Sequence, residues 1–359
     1  MEKLLLIDGS SVLSKCYFGS LPLDVMADER AFLKNHDENV RKAHYADILK
    51  NPEGKYVNGV FYMLMDIMNI LRYQQPSHII VAFDKTRNTF RRELYPEYKA
   101  NRPPKAEPLS EQFIMMTEIL KRLGITVCQS NKYEADDLIG SLAKKFETQI
   151  PVVAMTKDHD YLQLINKNTK VWMMTSSEEK KDALVSEYGE QENLPFGVYE
   201  YDDYVCWKEE GVMPSQIPDK KGIAGDTSDN IPGVKGVATA CLPLIRYYGS
   251  VENLYKEMEH EGPDIETMWK ADFHIRGGNY KKLMAEGQKD MALLSKDLAT
   301  IRCDIPLKIE LERMEVPALD FIEKIYSDIC RENGFDIILA DIERKKAEEA
   351  FYERECELD

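Results

Sequence analysis

Three runs of apolar residues in this 359-residue chain each break into aspartate. Leu4–Ile7 ends at Asp8, Ile79–Phe83 at Asp84, and Pro151–Met155 at Thr156-Lys157-Asp158-His159-Asp160. Short, continuous runs rich in Ile and Val are the pattern of parallel strands buried on both faces. Ile125–Cys128 and Val171–Met174 predict two more strands. Between them lie helical patterns: Gly59–Arg72, Leu109–Leu123 closed by Gly124, and Asp136–Glu147 with Leu138, Ile139, Leu142 and Phe146 on one face. The Met and aromatic residues of the first of these helices read as core. Strand–helix–strand repeats predict an α/β fold with a central, mainly parallel sheet. Ligands in such sheets bind outside the carboxyl ends of the strands, so the terminal acids should gather on one edge.

From Ser176 to about Tyr199 the chain turns polar, which places a boundary there. The expected division is an α/β domain over 1–198, a helical region over 199–345 with a Gly/Pro-rich knot at Gly225–Gly236, and a charged tail over 346–359. The segments 24–55 and 256–282 carry no pattern that assigns them a role.

Charge changes the picture in one place. The net charge is −16, whereas nucleic-acid binders are usually basic. Yet Lys85, Arg87, Arg91, Arg92, Lys99, Arg102 and Lys105 stand against only Glu93 and Glu97, giving +5 over that stretch. Phe90, Tyr95 and Tyr98 interleave with them. A bare charge run is usually a solvated face. This one follows a strand-end aspartate and closes at Pro103-Pro104, which favours phosphate binding beside the acids.

The acids themselves call for cations. Two carboxylates about 4 Å apart repel by roughly 4 kcal/mol at an effective dielectric of 20. A cluster that includes Glu134, Asp136 and Asp137 besides the strand-end acids would protonate in part or splay apart without neutralisation. Oxygen-only ligands select Mg²⁺, with Mn²⁺ able to substitute, and no cysteine or histidine pair lies at zinc spacing. The seven cysteines form no CxxC and leave an odd count, as reduced thiols do. With no apolar stretch of membrane-span length and no secretory pattern, a cytoplasmic protein is expected.

At these motifs the chain resembles the 5′-nuclease family: the 5′→3′ exonuclease domain of bacterial DNA polymerase I, stand-alone bacterial 5′→3′ exonucleases, and flap endonucleases. The resemblance runs through Leu6–Ser11, Val81–Asp84, Thr89–Pro104, Tyr133–Gly140, Gly225–Gly233 and Ala292–Arg302, in family order. It implies a PIN-like nuclease fold with a helix-hairpin-helix-type element. The implied activity is Mg²⁺-dependent exonuclease or flap endonuclease cleavage of DNA in replication or repair. Two or more metal ions would act, leaving 5′-phosphate and 3′-hydroxyl ends. Partners would be DNA with a 5′ flap, nick or free 5′ end, with no membrane and no small-molecule cofactor. With no polymerase domain in sight, the stand-alone form is expected.

The resemblance also implies site roles. Asp8, Asp84, Glu134 and Asp136 match a first metal cluster; Asp158, Asp160, Asp226 and Asp229 match a second, with Asp136 between them and Asp137 beside it. Arg91 and Lys99 match catalytic cations on a basic arch at about 85–105. Lys15, Tyr17, Arg92, Arg102, Gly233, Lys235 and Gly236 match DNA contacts. Plainer readings stand beside several of these. Asp8 could cap a helix, Asp137 could favour a helix dipole, Asp229 could start a turn, and Tyr17 could be core. Two departures are visible. Lys157 replaces a glycine of relatives, and in an ungapped alignment Ala238 and Ala240 replace a glycine and a lysine of the DNA-binding hairpin. The alternatives to a DNA nuclease are a PIN-like ribonuclease and a non-catalytic DNA-structure-binding protein.

Overall fold

The computed structural model describes residues 2–26, 40, 43–340 and 344. The expected strands form as β1 (Leu4–Asp8), β2 (His78–Asp84), β3 (Thr126–Ser130), β4 (Val152–Thr156) and β5 (Thr169–Met174). All five are parallel, in the order β3-β2-β1-β4-β5. A sixth strand, β6 (Val198–Tyr201), adds antiparallel to β5. The register sets Ile7 beside Val81 and Met155, so β1 ends between its neighbours and its Asp8 lies at the middle of the edge.

Side chains alternate between two cores, as the period of a strand requires. Leu4, Leu6, Ile80, Ala82, Val152 and Ala154 enter one, while Leu5, Ile7, Ile79, Val81, Val153 and Met155 enter the other. The second core is closed by α1 (Gly9–Gly19), α2 (Asn58–Asn69), α4 (Glu107–Arg122) and a late helix, α14 (Leu319–Asn333). Between α2 and α4 the basic segment forms only one short helix, α3 (Phe90–Leu94). Gly9 has no room for a side chain, because a Cβ would meet the Phe83 ring and Val81 at 2.6 Å. That close approach lets α1 start directly on Asp8.

The first core is covered by α5 (Ala135–Phe146) and by the helices that follow the sheet. These are α7 (Asp203–Glu210), α8 (Ile217–Ala224), α9 (Ala238–Tyr248), α10 (Val251–Glu261), α11 (Ile265–Asp272), α12 (Asn279–Leu283) and α13 (Gln288–Ala299). Segment 256–282, unassigned from sequence, packs Trp269 into this core, its indole donating to the Tyr248 hydroxyl at 2.8 Å. Segment 24–55 falls partly, and the expected charged tail over 346–359 wholly, outside the described residues.

Two details depart from the expected organisation. The polar stretch after Ser176 holds α6 (Glu178–Tyr188) and runs into β6, so the sheet extends to Tyr201, past residue 198. Also, α14 lies on the α/β side: its Ile322, Tyr326 and Ile329 fill the core of α2 and α4. A helix with one apolar stripe buries it wherever a face is open, and here that face belongs to the sheet. Among the described residues no helix is long and apolar enough to cross a membrane.

Candidate active site

The carboxyl edge of the sheet opens into a cavity of about 640 Å³, lined by Asp8, Asp84, Glu134, Asp136, Asp158, Asp160, Asp226 and Asp229. Each acid arrives for a local reason. Asp8 ends β1 and caps α1, its Oδ1 accepting from the Ser11 N–H at 3.0 Å, while Oδ2 accepts from the Thr156 hydroxyl at 2.9 Å. Asp84 ends β2 and accepts from the Ala135 N–H at 2.9 Å, tying it to the first turn of α5. Glu134 is the N-cap of α5. Asp158 caps a 3₁₀ turn at His159–Leu164 that carries Asp160. Asp226 and Asp229 sit in a tight loop after α8, closed by reciprocal backbone hydrogen bonds between Asp226 and Ile231.

Cations from three directions enter this acid pocket. Lys99 donates to Glu134 at 2.6 Å and lies 3.6 Å from Asp229. Arg102 pairs with Asp229, and Lys221 bridges Asp160 and Asp226, 2.6 Å from the latter. The Tyr98 hydroxyl donates between Glu134 and Asp229, 3.3 Å from each. Lys99 holds a left-handed backbone at φ 54°, fixed by its N–H on the Asp229 carbonyl at 2.8 Å. For a non-glycine residue that conformation costs on the order of 1–3 kcal/mol, and it aims the ammonium at the acids.

The charge balance is uneven. Burial pushes the Asp8 carboxyl up to about 7, and the nearby Asp84 adds to the rise. Burial and Asp158 raise Asp160 to about 7 against the pull of Lys221. Burial also raises Asp136, with Asp137 and Glu134 adding and Arg91 opposing. Glu134 goes the other way: burial would raise it, but Lys99 and Arg91 outweigh that and hold it at about 2. Asp226 is likewise held at about 2, Lys221 overcoming its burial. Negative charge at Asp8 and Asp136 is thus left without enough compensation.

A divalent cation fits this chemistry. The donors are all hard oxygens, and the raised carboxyls mark where added positive charge is most needed. Among the described residues, three ligating atoms fall within 4.8 Å of one another only at Glu257, His260 and Glu261, on an exposed face of α10. The cleft acids stand farther apart, with the ammonium and guanidinium groups of Lys99, Arg102 and Lys221 between them.

Several residues expected at the site lie elsewhere. Arg91 is buried to 1% exposure, its guanidinium forming a two-pronged pair with Asp137 at 2.7 and 2.8 Å and donating to the Leu298 and Thr300 carbonyls. It ties α3 to α5 and to the end of α13 and does not line the cavity; from there its guanidinium lies 3.7 Å from Glu134 and from Asp136, so it acts on the acids from behind. Asp137 has no exposed surface; it completes a capping box with Glu134 and accepts from the Arg302 N–H at 2.9 Å. It is therefore not among the cavity acids. Tyr17 is a fully buried core residue of α1. Lys15 lines a separate pocket with Asp66, Tyr73 and Phe196. Gly233 is buried, its N–H donating to the Ser295 hydroxyl at 3.0 Å, and a Cβ there would strike the Gly225 backbone. It holds the loop together and has no N–H left for a phosphate.

Others are placed where a polyanion could reach them. Arg92 lines a second cavity of about 480 Å³ with Lys85, Arg87, Arg102 and Lys105. Lys235 and Gly236 stay exposed at the turn before α9. Ala240, by contrast, is 1% exposed in the core. Sequence reasoning misses Lys221, because Lys220-Lys221 reads as a solvated pair on a helix. Its one signal is its place five residues before Asp226, in the last turn of α8.

The chain has relatives among known proteins. Residues 3–190 match the family model described as the 5′-3′ exonuclease N-terminal resolvase-like domain, and residues 212–321 match the 5′-3′ exonuclease C-terminal SAM fold. DNA polymerase I of Bacillus caldotenax is 32% identical over 350 residues, covering 97% of this chain and 33% of that protein. A 5′-3′ exonuclease of Buchnera aphidicola subsp. Baizongia pistaciae is 32% identical over 314 residues, covering 87% and 85%. The chain spans about a third of the length of the polymerase relatives. In fold it is similar to the bacteriophage T5 flap endonuclease solved with DNA and metal ions, at TM-score 0.53 and 17% identity, covering 93% and 100%. The two domain matches span most of the described fold, and the chain belongs to the 5′-3′ exonuclease family.

Proposed function

We propose that this chain is a Mg²⁺-dependent 5′ nuclease acting on DNA with a free 5′ end, nick or 5′ flap. The observation that carries this is the cavity itself, which nine carboxylates and three pairing cations line at the carboxyl edge of the sheet. Asp8, Asp84, Glu134 and Asp136 would hold one cation. Asp158, Asp160, Asp226 and Asp229 would hold a second, with Asp136 between the two. Divalent cations held there would supply a more acidic water and neutralise the charge that develops in the displacement. Lys99 and Arg102, released from their carboxylates, donate to the non-bridging oxygens of the scissile phosphate, where charge develops. Tyr98, buried between Glu134 and Asp229, keeps those two acids oriented. The products are 5′-phosphate and 3′-hydroxyl ends. The α/β part then carries the chemistry, and the helical part carries the duplex on the exposed turn at Lys235-Gly236.

The bound metals of the T5 relative and its DNA complex support this reading, as does the polymerase and exonuclease kinship. The test uses end-labelled 5′-flap, nicked, single-stranded and RNA substrates with Mg²⁺, Mn²⁺ or EDTA. Cleavage of the DNA substrates should require the metal, and Asp136→Ala should abolish turnover while the fold persists. Full activity in excess EDTA would remove the metal from the mechanism. Cleavage confined to RNA would reassign the substrate, and metal-independent binding without cleavage would leave a structure-binding protein.

A further inference from the structure

Two lysines face the acid cavity without joining its ion pairs. The cations Lys99, Arg102 and Lys221 each lie against a carboxylate. Lys105 and Lys157 line the same cavity, and among the described residues neither ammonium forms an ion pair or hydrogen bond. Lys105 stands at the foot of α4, its Nζ 3.7 Å from the centre of the Phe113 ring. It also lines the basic side cavity, so it lies where the two openings meet. Lys157 follows the last residue of β4, exposed, with its N–H donating to the Ser11 hydroxyl at 3.1 Å.

The two lysines flank the middle of the sheet edge. Lys105 lines the cavity beside Asp84 at the end of β2, and Lys157 extends β4. The strand between them is β1, whose last residue is Asp8. Strands are spaced about 4.8 Å apart, so the ends of β2 and β4, on either side of Asp8, are about 10 Å apart. Lys157 takes its place without strain: its backbone is not left-handed, unlike Lys99 and Asn230 nearby. Nothing in the loop calls for lysine on structural grounds. Both lysines are exposed at the mouth of the carboxylate cavity and, among the described residues, their ammonium groups have no ion pair to give up, so they are open to a phosphate there.

We infer that Lys105 and Lys157 are positioning residues that hold the phosphodiesters on either side of the scissile one, one lysine on each bank. The inference rests on the nuclease reading. It gives Lys157 a role: binding a phosphate on the bank opposite the basic segment. Together the two lysines would fix the strand's path across the sheet edge, so that only one phosphate lies over the acids.

The test is binding of a labelled 5′-flap DNA to the full chain in EDTA, read by fluorescence anisotropy over a salt series. Each neutralised single-strand phosphate contributes about 0.7 to the log–log salt slope, and about 0.9 on duplex. Lys105→Gln and Lys157→Gln should each lower the slope by about that amount and weaken low-salt binding several-fold. Lys105→Arg and Lys157→Arg should restore both. Lys256→Gln, on the exposed face of α10, controls for net charge and should leave the slope where it was. In Mg²⁺, Lys157→Gly should additionally spread the cleavage position over neighbouring phosphates. Unchanged slopes in both Gln variants, or Arg variants that behave like them, would overturn the clamp while leaving the nuclease reading in place. A parent protein that binds no DNA would overturn both.

Discussion

The basic segment after β2 uses the same chemistry at its two ends and obtains opposite results. Near its start, Arg91 meets Asp137 with both side chains out of solvent, 1% and 0% exposed. Near its end, Lys99 and Arg102 meet Glu134 and Asp229 at the wall of an open cavity, with Lys99 23% and Arg102 46% exposed. The first pair is enclosed: Arg91 also donates to two carbonyls and lies 3.7 Å from Glu134 and Asp136, and Asp137 accepts from Arg91, from the Glu134 N–H and from the Arg302 N–H. The second is open, with carboxylates that can exchange an ammonium for a metal ion and cations that can turn to a phosphate. Burial, and not the sign of the charge, decides which end is scaffold and which is chemistry.

That contrast makes the two ends separable by experiment. Breaking a buried ion pair by removing one partner costs about 3–5 kcal/mol, because the survivor is left charged and unsolvated. Arg91→Ala should therefore lower the unfolding free energy in urea by that amount, and Asp137→Ala should do the same. The double variant should cost much less than the sum, giving a strong coupling in the cycle. If Arg91→Ala keeps its urea midpoint and instead loses single-turnover rate, Arg91 reaches the substrate and the comparison fails.

The opposite end should respond in rate. Removing a donor aimed at developing charge costs roughly 10²–10³-fold, so Lys99→Ala should lower the single-turnover rate by about that factor. Its urea midpoint should move less than that of Arg91→Ala, because Lys99 is 23% exposed and Glu134 keeps the Thr89 hydroxyl at 3.0 Å and Arg91 at 3.7 Å as partners. A Lys99→Ala protein that loses affinity at an unchanged single-turnover rate would make Lys99 a plain phosphate anchor, and the sharp division between the ends would soften.

The same distinction explains what the sequence discloses and what it withholds. The strands are legible because Leu4–Ile7, Ile79–Phe83 and Val152–Met155 are buried on both faces, and burial leaves an unbroken apolar run. Asp8, Asp84, Asp158, Asp160, Glu134 and Asp136 are legible because each follows such a run or opens a helix, and the sheet then brings them together; Asp226 and Asp229, in the loop after α8, are marked only by the family resemblance. Less legible are β6 and α6. Among α6's residues only Leu184 is buried, and β6 is four residues long, so neither displays a periodic face. Motif spacing misplaces Arg91, Asp137, Tyr17 and Gly233 for one shared reason. It assigns a residue to a neighbourhood, but only packing says whether the functional group faces the cavity or the core. Lys221 escapes notice by the converse error, since a lysine pair on a helix looks solvated until the loop after it folds back.

The turn before α9 applies the argument at adjacent positions and carries the smallest effect. Filling the apparent gaps in the hairpin would place lysine at Ala240, yet that side chain is 1% exposed among core residues of α9. A lysine there must either overpack the core or drag its ammonium out through it, and overpacking typically costs about 1–3 kcal/mol. Thr239, one residue earlier, is exposed, beside exposed Ala238 and close to Lys235 and Gly236. Thr239→Lys should leave the urea midpoint nearly unchanged. It should also steepen the salt slope of duplex binding by about 0.9, with a several-fold gain in affinity at low salt. Ala240→Lys should lower the midpoint without a comparable gain. The pair is measured by anisotropy on a flap-free duplex beside urea titrations of each variant. If Ala240→Lys tightens duplex binding at no cost in stability, α9 rotates or frays on DNA and the buried face seen here is not the bound one. If Thr239→Lys changes neither slope nor affinity, the turn does not touch the duplex, and the exposed cations of the basic segment must carry the grip alone.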